Sequence, residues 1–107
     1  MKLLTKALLN LLPPLGATEN TPASEVKVPV KLFNPMGSQT WYLTEYDSKT
    51  HTAFGFVDLG MGFPELGYIS LTEIEQIRLP LGLTIERDLY WNSDTTLLDV
   101  RAVHDAA

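Results

Sequence analysis

The sequence predicts an α+β fold: an antiparallel sheet of about four to five strands, an N-terminal helix over about residues 3–12 and a short capped helix over about residues 71–78. Three observations predict this fold. Apolar and polar residues alternate in several short segments, as they do in half-buried strands. Glycine, proline and polar turn residues separate these segments. One serine–glutamate pair has the spacing that begins a helix.

Glu25–Phe33 is the first predicted strand, because the valines and the leucine at alternate positions would face one side of a sheet. Pro29 lacks the N–H that a ladder needs, which predicts an edge strand or a bulge. Thr40–Tyr46 and Thr52–Leu59 are rich in aromatic and β-branched residues, the composition that strands prefer. Asp47–Thr50 joins them as a hairpin, so we expect an antiparallel meander.

Two further strands are predicted, at Leu66–Ile69 and at Leu83–Trp91. The loop Gly60–Pro64 lies before the first of them. It has neither a dinucleotide fingerprint nor a P-loop pattern, and no lysine follows it. We therefore expect a flexible or tightly turned loop rather than a phosphate site.

The capped helix follows from a capping box. The Ser70 hydroxyl is expected to accept the N–H of Glu73, whose side chain reaches back to Ser70. Ile69 and Ile74 have the spacing of a hydrophobic staple. Pro80 ends the helix, because a proline cannot continue the hydrogen-bond ladder.

The N-terminal helix is predicted from polar residues four apart, Lys2, Lys6 and Asn10, which would share its solvent face. Two prolines after residue 12 stop it. We expect it to pack on the domain; a cleaved signal peptide and a partner-binding surface helix are the alternatives. The residues expected to face inward are Leu4, Ala7, Leu8, Leu11 and Leu12.

A last short helix is predicted near the C-terminus, capped by Ser93 or Asp94. Its expected inward residues are Leu97, Leu98 and Val100. The tail, about residues 101–107, is expected to fray.

Composition restricts the function classes. With 107 residues the chain fits one domain, residues 1–107. It has no cysteine, which excludes disulfides, thiolate zinc sites and cysteine nucleophiles. Its net charge of -5 leaves no basic patch for a phosphate backbone, so no nucleic-acid partner is expected. No apolar run is long enough to span a membrane, and we expect a cytoplasmic protein without a cofactor.

Carboxylates are the main candidates for chemistry. His51 and His104 lack the spacing of paired metal ligands, and we expect both to be solvated. Two or three strand carboxylates would be able to form a magnesium site or an acid–base pair if they converged. These carboxylates are Glu45, Asp58, Glu65, Glu86 and Asp88.

Arg87 is predicted on the apolar face of the last strand, where an unpaired cation is costly. A structural ion pair, a carbonyl partner or an anion-binding role would each explain it. Exposed aromatic residues near it or along the sheet would make a binding face. The candidate binding residues are Arg87, Glu86, Asp88, Trp41, Tyr68 and Tyr90; no catalytic or metal-binding residue is assigned.

Several motifs in order resemble a family of small uncharacterised domains encoded on plasmids, integrative elements and phages, over about residues 3–91. Members occur alone or as modules of polyvalent proteins with antirestriction and peptidase domains. The chain departs from the pattern before Pro80, where Arg78 and Leu79 replace an arginine–glycine pair. The matching motifs are Leu12-Pro13-Pro14-Leu15, Ala17-Thr18-Glu19-Asn20, Val30-Lys31-Leu32-Phe33-Asn34-Pro35, Thr40-Trp41-Tyr42-Leu43-Thr44-Glu45, Phe54-Gly55, Glu65-Leu66-Gly67-Tyr68-Ile69-Ser70-Leu71, Gly82-Leu83 and Ile85-Glu86-Arg87-Asp88-Leu89-Tyr90.

The resemblance implies a non-enzymatic protein-binding module of a mobile element in the bacterial cytoplasm. Its partner would be a protein of the host or of the element, and interference with host defence is the most specific version. The alternative is a small metal-dependent hydrolase or nuclease that uses the strand carboxylates. A third hypothesis is a small-ligand binder in which Arg87 holds an anion.

Overall fold

A five-stranded antiparallel sheet forms the centre of the molecule, in the order β4-β3-β2-β1-β5. The computed structural model describes residues 2–105. The α+β prediction is confirmed. The elements are α1 (Lys6–Leu9), β1 (Val30–Phe33), β2 (Thr40–Asp47), β3 (Thr52–Asp58), β4 (Glu65–Ser70), α2 (Leu71–Gln76), a 3₁₀ turn (Pro80–Gly82), β5 (Glu86–Arg87) and α3 (Leu97–Asp105).

The first face of the sheet carries the larger core. Alternate residues of β1, β2 and β3 point to it, and the N-terminal segment and α2 cover it. Burial of these apolar side chains is the main stabilising contribution on this side. The core residues are Leu3, Leu4, Leu12, Val30, Leu32, Trp41, Leu43, Ala53, Ile69, Leu71, Ile74 and Ile85.

The second face is covered over only part of its width. Tyr42 and Phe56 on β2 and β3 pack against the segment before β1 and against α3. The N–H of Val28 donates to the carbonyl of Thr95 at 2.7 Å, which fixes that segment beside the start of α3. The remaining residues of this smaller core are Val26, Leu97 and Val100.

The edge position predicted for the first strand is wrong. β1 pairs with β2 on one side and with β5 on the other. It begins directly after Pro29, because that residue has no N–H to donate to the ladder. The four residues of the segment that were expected to point inward are all buried. Val26 and Val28 join the smaller core, whereas Val30 and Leu32 join the larger core.

The strand predicted at Leu83–Trp91 is only two residues long. A carboxylate ends it: Asp88 Oδ1 accepts the N–H of Tyr90 at 2.9 Å, which turns the chain. Leu89 is consequently exposed, although the alternation placed it on the apolar face. Of the alternate residues Leu83, Ile85, Leu89 and Trp91, only Ile85 lies in the larger core.

The N-terminal helix is shorter than predicted. Thr5 caps it by accepting the N–H of Leu8 at 3.3 Å, so the residues before Thr5 are not helical. Leu3, which the helical pattern did not place inward, is therefore buried. Ala7 and Leu11, which were expected to face inward, are exposed.

α3 begins later and runs further than predicted. Thr96 Oγ1 accepts the N–H of Asp99 at 3.2 Å, and the Asp99 carboxylate accepts the N–H of Thr96 at 3.1 Å. This reciprocal pair makes Thr96 the cap, rather than Ser93 or Asp94. Leu98 is exposed, and the helix continues through Asp105 where fraying was expected. The last two residues of that predicted tail lie outside the described part.

α2 begins where the capping box predicted, but it ends at Gln76 because Ile77 is extended. Within residues 2–105 we find no helix with the length and apolar character that a membrane span requires.

The cap of α2 gives a direct test of this assignment. Ser70 Oγ accepts the N–H of Glu73 at 3.2 Å. Ser70→Ala removes that acceptor and should lower the free energy of unfolding by about 0.5–2 kcal/mol in chemical denaturation. Ser70→Asp keeps an acceptor at the same place and should lose less. Equal stability of the alanine variant and the native protein would contradict the cap.

Candidate functional site

The six residues predicted to bind a partner do not come together. Glu86 and Arg87 form β5, and Asp88 and Tyr90 follow it, at one edge of the sheet. Tyr68 lies on β4, at the opposite edge. Trp41, the sixth, is 7% exposed in the larger core, so it is not available to a partner.

Arg87 holds the N-terminal segment in place. Its Nη1 donates to the carbonyl oxygens of Lys2 and Leu3, each at 2.7 Å. The ion pair predicted for Arg87 is not among the ion pairs of residues 2–105, where carbonyl oxygens are its partners instead. This anchor keeps Leu3 against the first face of the sheet.

The strand carboxylates do not converge. In the part of the chain that the structure describes, no group of three or more histidines and carboxylates is placed to hold a metal ion. Asp88 lies 3.9 Å from Lys31 Nζ, a long ion pair beside β5. Asp58 contacts His104. Glu45 is buried in β2, which is separated from β5 by β1.

A β-bulge aims Glu45 into the second face. Leu43 pairs with Gly55 and Glu45 pairs with Phe54, so Thr44 is an extra residue in β2. An extra residue shifts the alternation by one position, and bulges often redirect a side chain in this way. Without it, Glu45 would point into the larger, apolar core.

The buried Glu45 carboxylate organises the loop before the first strand. It accepts the N–H of Gly16 at 2.7 Å, the N–H of Thr18 at 2.9 Å and the hydroxyl of Thr18. Three donors satisfy a buried carboxylate without a cation. Glu45 is therefore a structural anchor rather than a free acid or base.

Both histidines connect a carboxylate to a tyrosine. The prediction that they are solvated is wrong for His104, whose side chain is 16% exposed, whereas the His51 side chain remains 37% exposed. His104 Nδ1 lies 3.1 Å from Asp58, and its Nε2 lies 3.1 Å from the Tyr42 hydroxyl. Burial, followed by the charge of Asp58, raises the pKa of Tyr42, which therefore stays protonated as a donor. This connection fastens α3 to β2 and β3.

His51 makes the second connection. Its Nδ1 lies 2.6 Å from the Tyr46 hydroxyl, and its Nε2 contacts Glu75 of α2. Each histidine therefore uses both ring nitrogens within the fold, and neither has a lone pair to offer a metal or a nucleophile.

A cleft of about 440 Å³ opens on the second face between β3–β4 and the segments that cover β2. Phe54 and Tyr68, in edge-to-face contact with ring centroids 5.1 Å apart, form one wall. Arg101 of α3 forms part of the other wall, and its guanidinium lies 5.3 Å from the Phe56 ring centroid. The anchored Glu45 is also part of the lining.

A second concavity, of about 380 Å³, follows β4 and the loop before it. Phe63 is 87% exposed, Tyr68 74% and Met61 71%. Tyr68 and Leu66 line both concavities, so the two share a wall. We call the exposed side chains of Leu59, Met61, Phe63, Leu66 and Tyr68 the β4 surface.

The chain segment that carries this surface is acidic, although Arg101 lines the adjoining cleft. Residues 50–77, which include β3, β4 and α2, contain four carboxylates and no lysine or arginine. The carboxylates are Asp58, Glu65, Glu73 and Glu75. A cationic partner would therefore meet an attractive field here.

Residues 3–106 match the family described as "Protein of unknown function (DUF2958)". The chain belongs to the DUF2958 family. No curated protein and no solved structure matches it. The family description names no activity, so the site in this DUF2958 domain is argued from its own geometry.

The sequence interpretation missed Phe63 and Met61. Both lie in the loop that was expected to be a flexible or tight turn: Met61 lies between Gly60 and Gly62, whose φ angles are +79° and +82°, and Phe63 follows Gly62. Positive φ at Gly60 and Gly62 folds the loop tightly. The available signal was the interleaving of large apolar residues with glycine, which leaves those side chains little to pack against.

Variants of Arg87 test whether this residue anchors the N-terminal segment. Arg87→Ala should lower the free energy of unfolding by about 1.5–3 kcal/mol, because two hydrogen bonds to a charged donor are lost. Arg87→Lys should lose less, since one nitrogen makes both bonds and an ammonium is able to donate twice. Chemical denaturation measures both, and a lysine variant as unstable as the alanine variant would contradict this geometry.

A variant of Glu45 tests whether its carboxylate anchors the loop at residues 16–18. Glu45→Gln turns one acceptor oxygen into a donor that faces a backbone N–H, and it should cost about 1–3 kcal/mol. Glu65→Gln, at an exposed carboxylate, should stay within about 0.5 kcal/mol of the native protein. Equal effects in urea denaturation would show that the Glu45 contacts do not matter.

Proposed function

We propose that this DUF2958 domain is a non-enzymatic protein-binding module that docks a partner on the β4 surface. The supporting observation is that five large exposed apolar side chains lie on one continuous loop and strand. Exposed apolar side chains that are contiguous, rather than scattered, are typical of interaction sites. Aromatic residues and methionine, both present here, are enriched in protein interfaces.

Charge complementarity specifies the partner further. Residues 50–77 contain carboxylates and no lysine or arginine, and Glu65 lies on β4 itself, which favours a partner whose docking segment is basic. The same charges disfavour nucleic acid, whose phosphates would be repelled. The partner is therefore a protein with apolar anchors and flanking lysine or arginine.

The hydrolase alternative has no supporting observation among residues 2–105. The strand carboxylates lie apart, Glu45 is fully used by the loop, and both histidines are occupied. The small-ligand hypothesis based on Arg87 is not favoured either, because that guanidinium already binds two carbonyl oxygens.

The resemblance to domains of mobile elements extends the proposal. The partner would be a protein of the element or of its host, and a component of host defence is the specific candidate. Its test is whether a protein captured through the β4 surface belongs to such a system.

Paired double variants test the docking surface. Phe63→Ser with Tyr68→Ser should abolish capture of the partner from a lysate of the cells that encode the protein, because interface anchors contribute about 2 kcal/mol or more each. Leu81→Ser with Tyr90→Ser removes equally exposed side chains elsewhere and should leave capture unchanged. The captured protein is purified, and its Kd for all three forms is measured after nuclease treatment.

Loss of affinity of at least about 30-fold in the first variant alone supports the proposal. Equal Kd values for both double variants, or a loss confined to the Leu81 and Tyr90 pair, would contradict it. A clear rise in Tm with magnesium that Glu65→Gln abolishes would instead favour the hydrolase.

A further inference from the structure

The two edges of the sheet differ in how they are protected. β5 has two residues, and very short edge strands are one way in which proteins prevent unwanted pairing. β4 has six residues, pairs with β3 without a register shift, and contains no lysine or proline. A long regular edge without these protective features is a template for another strand.

The register shows which backbone groups of β4 face outward. Leu71 N–H donates to His51 O at 3.0 Å, in line with the pairing of β3 and β4. Antiparallel pairs alternate between hydrogen-bonded and non-hydrogen-bonded positions. Residues 65, 67 and 69 therefore bond to β3, and the N–H and C=O groups of Leu66 and Tyr68 point away from the sheet.

The same two residues also present exposed side chains. Leu66 and Tyr68 lie on the second face, beside the cleft that Phe54 lines. Gly67, between them, has open space where a Cβ would be. An added strand would thus find free hydrogen-bond partners, apolar contacts on one face and no obstructing side chain at the centre.

Charge then selects the sequence of that strand. Residues directly opposite each other in paired strands have side chains on the same face. A residue opposite Leu66 or Tyr68 would contact apolar groups, and a residue opposite Glu65 would contact a carboxylate. The pattern that fits is an alternation of apolar and basic residues.

We propose, on the basis of the proposed function above, that the partner binds by adding an extended segment of alternating apolar and basic residues to β4 as a sixth strand, antiparallel to β4, so that the residues opposite Leu66 and Tyr68 direct their N–H groups toward β4. Main-chain hydrogen bonds to Leu66 and Tyr68 provide the affinity, and side-chain contacts with the β4 surface provide the specificity. A second copy of this chain fits less well, because each copy carries a net charge of -5.

Synthetic eight-residue peptides test this mode on the full chain. The probe alternates valine with lysine, and its control alternates valine with glutamate. Two further versions of the lysine peptide carry N-methyl groups, one on the valine nitrogens and one on the lysine nitrogens. Binding is measured by titration calorimetry, and amide exchange of Leu66 and Tyr68 is measured by NMR.

The lysine peptide should bind at least about tenfold more tightly than the glutamate peptide and slow exchange at both amides at least about tenfold. Methylation of the valine nitrogens should abolish binding, because those N–H groups face β4. Methylation of the lysine nitrogens should be tolerated, because those face solvent. Equal effects of the two methylations, equal binding of both charges, or binding without slower exchange would each overturn strand addition.

A pair of variants separates backbone from side chain. Tyr68→Ala keeps the outward N–H, and Tyr68→Pro removes it at an edge position where proline is tolerated. Tyr68→Pro should bind the lysine peptide at least about tenfold more weakly than Tyr68→Ala. If the proline variant does not fold, the two methylated peptides decide the question.

Failure of strand addition is distinguishable from failure of the proposed function. If no peptide binds up to 1 mM while the lysate partner still depends on Phe63 and Tyr68, strand addition is overturned and the docking surface stands. If neither depends on these residues, both proposals fail. Concentration-dependent dimerisation that Tyr68→Pro abolishes would identify a second copy of the chain as the strand and overturn the basic partner.

Discussion

The single extra residue in β2 determines how the second face of this domain is built. Thr44 shifts the alternation, so that Glu45 points to the second face and Tyr46 to the first. The opposite strand accommodates this only because residue 55 is glycine: a Cβ there would lie 1.9 Å from the Tyr42 carbonyl oxygen. The redirected carboxylate then binds the loop at residues 16–18, and the Tyr46 N–H donates to the Pro13 carbonyl.

The anchored loop covers one part of the second face and leaves another part exposed. Beside β2, the segment before β1 and α3 cover Tyr42 and Phe56, and His104 fastens that cover through Asp58. Beyond it the loop and α3 stop short of β4, which leaves the cleft lined by Phe54 and Tyr68. The exposure of the β4 surface is thus a consequence of where the cover ends.

The first face is covered at both sides, although a cavity of about 340 Å³ remains beside Val30 and Arg87. Leu3 and Leu4 close it at one side, held by Arg87, and α2 closes it at the other, held by Ser70 and by the contact of His51 with Glu75. With the first face covered and the β5 edge only two residues long, β4 is the exposed and regular border of the sheet, and Glu65 is its charged residue.

The sequence by itself determined the local elements whose signals span a few residues. The capping box of Ser70 and Glu73 placed the start of α2, and the aromatic and β-branched composition placed β2 and β3, because these patterns depend on neighbours in the chain. Sequence patterns of this kind do not specify the length of an element. Asp88 ended β5 and Thr96 began α3 through side-chain hydrogen bonds that alternation does not encode.

Tertiary structure alone decided the candidate site. Which edge of the sheet stays unpaired depends on strand order, so Tyr68 and Tyr90, both candidate binding residues from the sequence, lie at opposite edges. The roles of Glu45, Arg87 and the two histidines depend on partners 5 to 85 residues away, and no local pattern specifies such contacts. The physical reason is that burial and pairing are properties of the assembled sheet, whereas sequence patterns report only the preferences of adjacent residues.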